Sequence, residues 1–259
     1  MAARAIWKGV IRLGDVKVPV KLYASVEDRT THFRLLHRKD RVPVRQALIN
    51  PDTEEVVPFE KTRRAFVTAD GDLVLLNEED LQSIEPQSSR TIRILQVLRP
   101  GAIDHRWYVR PYFLGPDEGG DNMYAALISA LQREQKEALA RWVMRKKEYL
   151  GSLRLVSGYP MLTVLRHSHQ VASTENLQLP AGPKLAGKEM DMARRLMDML
   201  AADFEPADYS DEYRARVQEL IAVKSSGGRV KKIPLRKRPK TDDLQSALEA
   251  SLRQEKKRA

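Results

Sequence analysis

The run AIWKGVIRLGDVKVPVKLY, from Ala5 to Tyr23, decides how the rest of the chain is read. After Gly14, the apolar Val16, Val18, Val20 and Leu22 alternate with Asp15, Lys17, Pro19, Lys21 and Tyr23. Period-two alternation marks a strand with one buried face. Pro19 has no N–H to give a ladder, so the pattern predicts an edge strand, or one whose bare nitrogen meets solvent.

Working outward, strands are expected at Val16–Tyr23, His32–Leu36, Phe66–Val67, Leu73–Leu76, Thr91–Leu98, Trp107–Leu114, Arg141–Tyr149, Ser152–Val156 and Met161–His167. The Asp-Gly pair within Ala69–Asp72 predicts a tight hairpin. Asn77, followed by Glu78 and Glu79, reads as the cap of a short acidic helix, which accounts for those carboxylates without catalysis. A longer helix is expected over Asp121–Ala140, burying Leu127, Leu131 and Leu139, and two more over Gly187–Ala202 and Ser210–Lys224. The class is therefore mixed α+β and strand-dominated, a barrel or a sandwich.

The 259 residues carry a net charge of +10 and no cysteine, which excludes a disulfide scaffold and thiolate metal sites. Residues 1–223 hold 33 Lys and Arg against 31 Asp and Glu, whereas residues 224–259 hold 12 against 4. The excess thus belongs to the tail, beyond a linker at Ser225–Arg229. Lys231, Lys232, Arg236, Lys237, Arg238 and Lys240 suit a polyanion bound through counterion release, and also suit a solvated tail. No secretion signal or long apolar span is evident, so a cytoplasmic, nucleoid-associated protein is expected.

Three basic clusters lie in the core. In Arg106–Leu114, alternation sets Arg106, Tyr108, Arg110 and Tyr112 on one face, with Trp107, Val109 and Phe113 on the other; forked guanidiniums and phenols suit phosphate oxygens. In Arg141–Lys147, read as one strand, Arg141, Val143, Arg145 and Lys147 share a face and Lys146 points away. Arg34, His37, Arg38, Lys39 and Arg41 follow an expected strand, with Asp40 diluting their charge. Each cluster also has a solvated reading, an exposed strand face for the first and a turn between helix and sheet for the second. His167 and His169 form an imidazole pair without a convincing third ligand.

Enzyme motifs are lacking: there is no phosphate-binding glycine loop of either common type and no G-x-S-x-G elbow. No cofactor is implied. One catalytic alternative stands, a lyase in which Lys8, Lys17 or Lys21 forms a Schiff base with an abasic sugar near a DNA end. A general nucleoid-binding protein is a third reading.

The ordered series IWKG, V-x-VPVKLY, HFRLLHR (His32–Arg38), FVTADGDLVLLNEEDL (Phe66–Leu81), RWYVRPYFLGP (Arg106–Pro116), MYAALISAL (Met123–Leu131), ARWVMRKKEYLGSLR and MARRLMDML resembles prokaryotic Ku proteins over about residues 3 to 225. The resemblance implies a Ku-like β-barrel with bridge strands over residues 1–180, a helical dimerisation arm over 181–224, and a basic tail over 225–259. It implies a ring-shaped homodimer that binds double-strand DNA ends in non-homologous end joining, with no catalysis of its own. It also implies that Arg106–Leu114 lies in the bridge over DNA and that the Arg141–Lys147 cations line the ring. Lys61–Phe66 departs from the Lys-Gly-Tyr-Glu type of string in many relatives, and the absence of cysteine excludes a zinc ribbon.

In the arm, Met190, Met197 and Leu200, then Tyr213, Val217, Leu220 and Ile221, recur at helical spacing, as expected for a partner chain or for packing on the barrel. In the tail, Leu244, Leu248 and Leu252 form a thin stripe suited to folding on a partner. By resemblance that partner is the bacterial end-joining DNA ligase. A nine-residue strand spans only about 30 Å, so two chains are expected to share the enclosing of a duplex.

Overall fold

The computed structural model describes residues 4–175, 177, 182, 187–227, 248–249 and 251–253. The chain divides into two units, Met1–Thr174 and Glu175–Ala259. The first holds β1 (Trp7–Leu13), β2 (Val16–Ala24), β3 (Arg64–Val67), β4 (Leu73–Leu76), α1 (Glu78–Ser83), β5 (Thr91–Leu98), β6 (Tyr108–Pro116), α2 (Asp121–Glu134), β7 (Glu137–Met144), β8 (Lys147–Val156) and β9 (Tyr159–Leu165). The second holds α3 (Gly187–Leu200) and α4 (Glu212–Ser225).

Seven strands close a barrel in the order β1-β2-β6-β9-β8-β7-β5, the last returning to β1. Every ladder is antiparallel except β1–β5, where Val10, Ile11 and Arg12 lie beside Thr91, Ile92 and Arg93 in parallel. Inward alternation places Ile11, Val18, Val20, Leu22, Ile92, Leu114, Ala140, Trp142, Leu153 and Leu162 in one core. On α2, Tyr124, Leu127 and Leu131 pack against it, and the Tyr124 hydroxyl donates to the Leu114 carbonyl at 2.6 Å.

The opening run is thus a hairpin rather than a single strand. Trp7–Leu13, which the alternation after Gly14 does not announce, pairs residue by residue with Val16–Leu22. Gly14 turns the chain with φ +59, a conformation that glycine adopts without steric cost. The Trp7 ring fills the space over Gly9, where a Cβ would stand 2.0 Å from it. A closed barrel has no edges, so the first of the two alternatives predicted from Pro19, an edge strand, is absent. The β2–β6 ladder runs from Val20↔Pro116 to Ala24↔Tyr112. Pro19 and Pro111 each lie one residue beyond an end of that ladder, where no donor is required.

Other expectations change for local reasons. The long helix stops at Glu134, because Gln135 turns left-handed (φ 46, ψ 43), and Glu137 opens β7. No strand forms at His32–Leu36; that stretch is loop, pinned by one bridge between Leu36 and Pro43. Arg141–Tyr149 is two strands, with Arg145 and Lys146 at the turn, both at positive φ (51 and 63). The β3–β4 hairpin and the Asn77 cap form as expected: Asn77 Oδ1 accepts from the Asp80 amide at 2.8 Å, and Asp80 accepts in return at 2.9 Å.

Between β2 and β5 the chain leaves the barrel for residues 25–90. None of these is buried. Phe33, Leu35, Phe59, Phe66, Leu73 and Ile84 are 63 to 77% exposed.

Gly151 packs under Trp142, and a Cβ there would meet the indole at 2.6 Å and the Thr163 carbonyl at 2.8 Å. Gly151→Ala therefore overpacks the barrel and should cost about 1–3 kcal/mol, read as a lower midpoint in chemical denaturation.

Candidate nucleic-acid interface

The Arg106–Leu114 cluster does not present the face that alternation suggests. His105–Trp107 form a 3-10 turn capped by Asp104, whose carboxylate also holds the Arg106 guanidinium at 2.8 Å. The ladder to β9 shifts register between Tyr108 and Arg110. Beyond it Tyr112 is 6% exposed in the core, while Phe113 is 38% and Val109 51% exposed. Arg110 lies 5.9 Å from the Tyr112 ring centre.

Tyr108 is occupied too. Its hydroxyl donates to Glu137 at 2.7 Å, and Ser152 donates to the same carboxylate oxygen. Burial first, then that carboxylate, pushes the phenol up to about 12. The two tyrosines are therefore structural, and Arg110 is the exposed cation of this strand. The strand itself is a barrel stave between β2 and β9. The segment that rises from the barrel is instead residues 25–90.

In the second cluster Arg141 is exposed on the outer face of β7, and its Nε lies 3.8 Å from Glu148. Arg145, Lys146 and Lys147 are at the hairpin tip, so parity with Arg141 no longer relates them. The Lys146 ammonium reaches Glu85, 3.0 Å away, and so ties the tip to the excursion. The third cluster lies on the excursion. His37 Nδ1 is 2.7 Å from Asp40, and the Val42 amide and His37 together hold the Asp40 carboxyl below its usual range. Arg34, Arg38 and Lys39 are exposed and enter none of the described ion pairs.

Lys8 and Lys21, directly opposite each other on β1 and β2, share one carboxylate. Asp117 lies 2.8 Å from Lys21 and 3.3 Å from Lys8. The Lys21 hydrogen bond, then the Glu118 amide, lower Asp117 to about 2, and the same contact raises Lys21. A Schiff-base lysine needs the opposite shift. His167 and His169 stack at 5.8 Å, and among the described residues no group of three His, Cys, Asp or Glu could hold a metal. Of the tail, Leu248 and Leu252 fall in a described helical stretch, both half-buried; Leu244 and the Lys231–Lys240 cations lie outside the described residues.

Arg12 and Arg93 escaped the sequence reading, and Lys17 entered it only as a Schiff-base candidate. Only strand register brings the three into one row with Arg141.

A family model described as the Ku70/Ku80 beta-barrel domain matches residues 12–192, from within β1 into α3. The chain belongs to the Ku family. Among Ku relatives, it is 32% identical over 255 residues to Non-homologous end joining protein Ku 2 of Geotalea uraniireducens (98% of this chain, 99% of that one). It is 34% identical over 259 residues to the Ku protein of Heliobacterium modesticaldum (99% and 94%), and 30% identical over 251 residues to that of Solibacter usitatus (97% and 94%). The match takes in the end of β1 and the whole of β2 to β9. Among the described residues no helix is long and apolar enough to cross a membrane.

Asp117 is charged in the folded protein down to about pH 2, below the value of about 3.9 for a free aspartate. Its pairing with Lys8 and Lys21 therefore stabilises the fold above pH 4, and this contribution is lost as pH falls through 2. Asp117→Asn should flatten the dependence of stability on pH between 4 and 2, measured by urea unfolding; an unchanged slope would refute the assignment.

Proposed function

We propose that this Ku-family chain binds double-strand DNA ends without sequence preference, as a ring-shaped homodimer. It would protect and bridge the ends in non-homologous end joining and recruit a DNA ligase. The observation that carries the reading is the excursion over residues 25–90, which has no buried residue and presents large apolar side chains to solvent. A soluble monomer does not keep so much apolar surface bare. A second copy, related by a twofold axis, would cover it and at the same time close a loop of chain around a duplex.

Other features support the same reading. Met190, Met197, Leu200, Tyr213, Leu220 and Ile221 of α3 and α4 are exposed, and Val217 is buried, consistent with a helical arm awaiting a partner. Arg34, Arg38, Lys39, Arg110, Arg141, Arg145 and Lys147 are exposed cations without a base-reading helix among them, which suits phosphate contact rather than sequence readout. The printed names of the relatives assign them to non-homologous end joining. The lysine-lyase alternative gains nothing from Lys21, whose amine is held protonated by Asp117.

The test is competition between a linear duplex and a covalently closed circle of the same sequence at physiological salt. The linear form should win, and bound protein should leave it only while an end is free. Equal binding would mean that the basic tail dominates and would remove the end-binding reading. Sedimentation at micromolar concentration should give a dimer; a monomer would remove the ring. Truncation after Thr241 should lower stimulation of the ligase while core DNA binding is retained, and undiminished stimulation would remove the proposed ligase contact.

A further inference from the structure

Strand register builds a row of like charges that no single segment of sequence contains. Lys17 of β2 is the direct partner of Arg12 on β1, Arg12 of Arg93 on β5, and Arg93 of Arg141 on β7. All four are exposed. They stand on the outer wall, because their strand neighbours Val18, Ile11, Ile92 and Ala140 point into the core. At about 4.8 Å between neighbouring strands, the row crosses four staves over about 14 Å.

Like charges directly opposite on neighbouring strands destabilise a sheet. Little in the chain offsets this repulsion. Arg12 Nε donates to the Gly14 carbonyl at 3.1 Å, and Arg141 has Glu148 at 3.8 Å. Lys17 and Arg93 enter none of the described ion pairs, and Arg93 has a cation on each side. The pair Lys8–Lys21, four residues along the same hairpin, differs in kind, since Asp117 bridges it. One cation pair is thus bridged by a carboxylate within the fold, while among the described residues no carboxylate bridges the row farther along.

We infer that the row Lys17–Arg12–Arg93–Arg141 is a phosphate track that holds one DNA backbone across the staves of the barrel. This rests on the end-binding reading and assigns its contacts. A polyanion laid along the row would convert mutual repulsion into charge-assisted hydrogen bonds, with the three guanidiniums able to meet phosphate oxygens as forks. Such contacts fix position without reading bases.

The experiment measures the affinity of the full chain for a linear duplex from 50 to 200 mM salt, for the unaltered protein, Arg93→Gln, the double variant Arg12→Gln/Arg93→Gln, and Arg133→Gln on α2 as a control for lost charge. Thermal unfolding at low salt is followed in parallel. Each removed contact should reduce the slope of log affinity on log salt by about 0.9, whatever the duplex sequence, while Arg133→Gln leaves the slope unchanged. Arg93→Gln should also raise the unfolding midpoint, because it relieves repulsion from both sides. Unchanged slopes in the row variants, or a lowered midpoint, would overturn the track while unaltered binding to ends left the parent reading standing. An unaltered protein that bound no duplex would remove both.

Discussion

The short parallel ladder between Val10–Arg12 and Thr91–Arg93 is the constraint on which the rest of the first unit depends. Antiparallel ladders build the other walls, three of them between strands adjacent in sequence, but only this ladder joins the first strand to the other end of the sheet. The chain leaves β2 at the barrel end where β5 begins, with β1 between them, and residues 25–90 make that connection outside the barrel. Their large apolar side chains stand away from the core. The same ladder sets Arg12 beside Arg93. Barrel closure and the crowding of cations on the outer wall thus share one geometric cause.

The barrel class and the family were legible because alternation in β2, the Asp-Gly hairpin and the Asn77 cap are local signals with local causes. Errors arose where tertiary geometry overruled a local pattern. Pro19 reads as an edge residue, yet it falls just past an end of the β2–β6 ladder inside a closed barrel. Tyr108 and Tyr112 share a face as alternation requires, but barrel closure turns that face inward, onto buried Glu137 and the core, and leaves Val109 and Phe113 outside. The β7–β8 turn was missed because Arg145-Lys146 lacks the Asn-Gly or Asp-Gly chemistry that usually marks positive φ at both central positions. Gln135 ended α2 for a similar reason, as a left-handed residue other than glycine or asparagine.

Charge was the least legible property. Read along the chain, Arg141 to Lys147 looks like the strongest cationic site, yet a hairpin turn disperses it and Glu85 engages one of its lysines. Arg12, Lys17 and Arg93 carry no linear signal, and their proximity depends on pairing between residues up to 81 apart in sequence. Composition fixes how much charge a protein carries. Register decides where two charges must tolerate each other.

The order of synthesis gives the excursion a further consequence. The barrel cannot close until β9 has paired with both β6 and β8, and β9 ends at Leu165. Residues 25–90 leave the ribosome well before that. At about 5–20 residues per second, the 75 positions from 90 to 165 take roughly 4–15 s to make. For that interval a segment rich in exposed Phe, Leu and Ile hangs from a sheet that does not yet exist. Pairings of long sequence separation also form slowly once the residues are available. Early in its life the chain is therefore a natural client for chaperones, and overexpression should burden it through this segment before any fault in the finished barrel is felt.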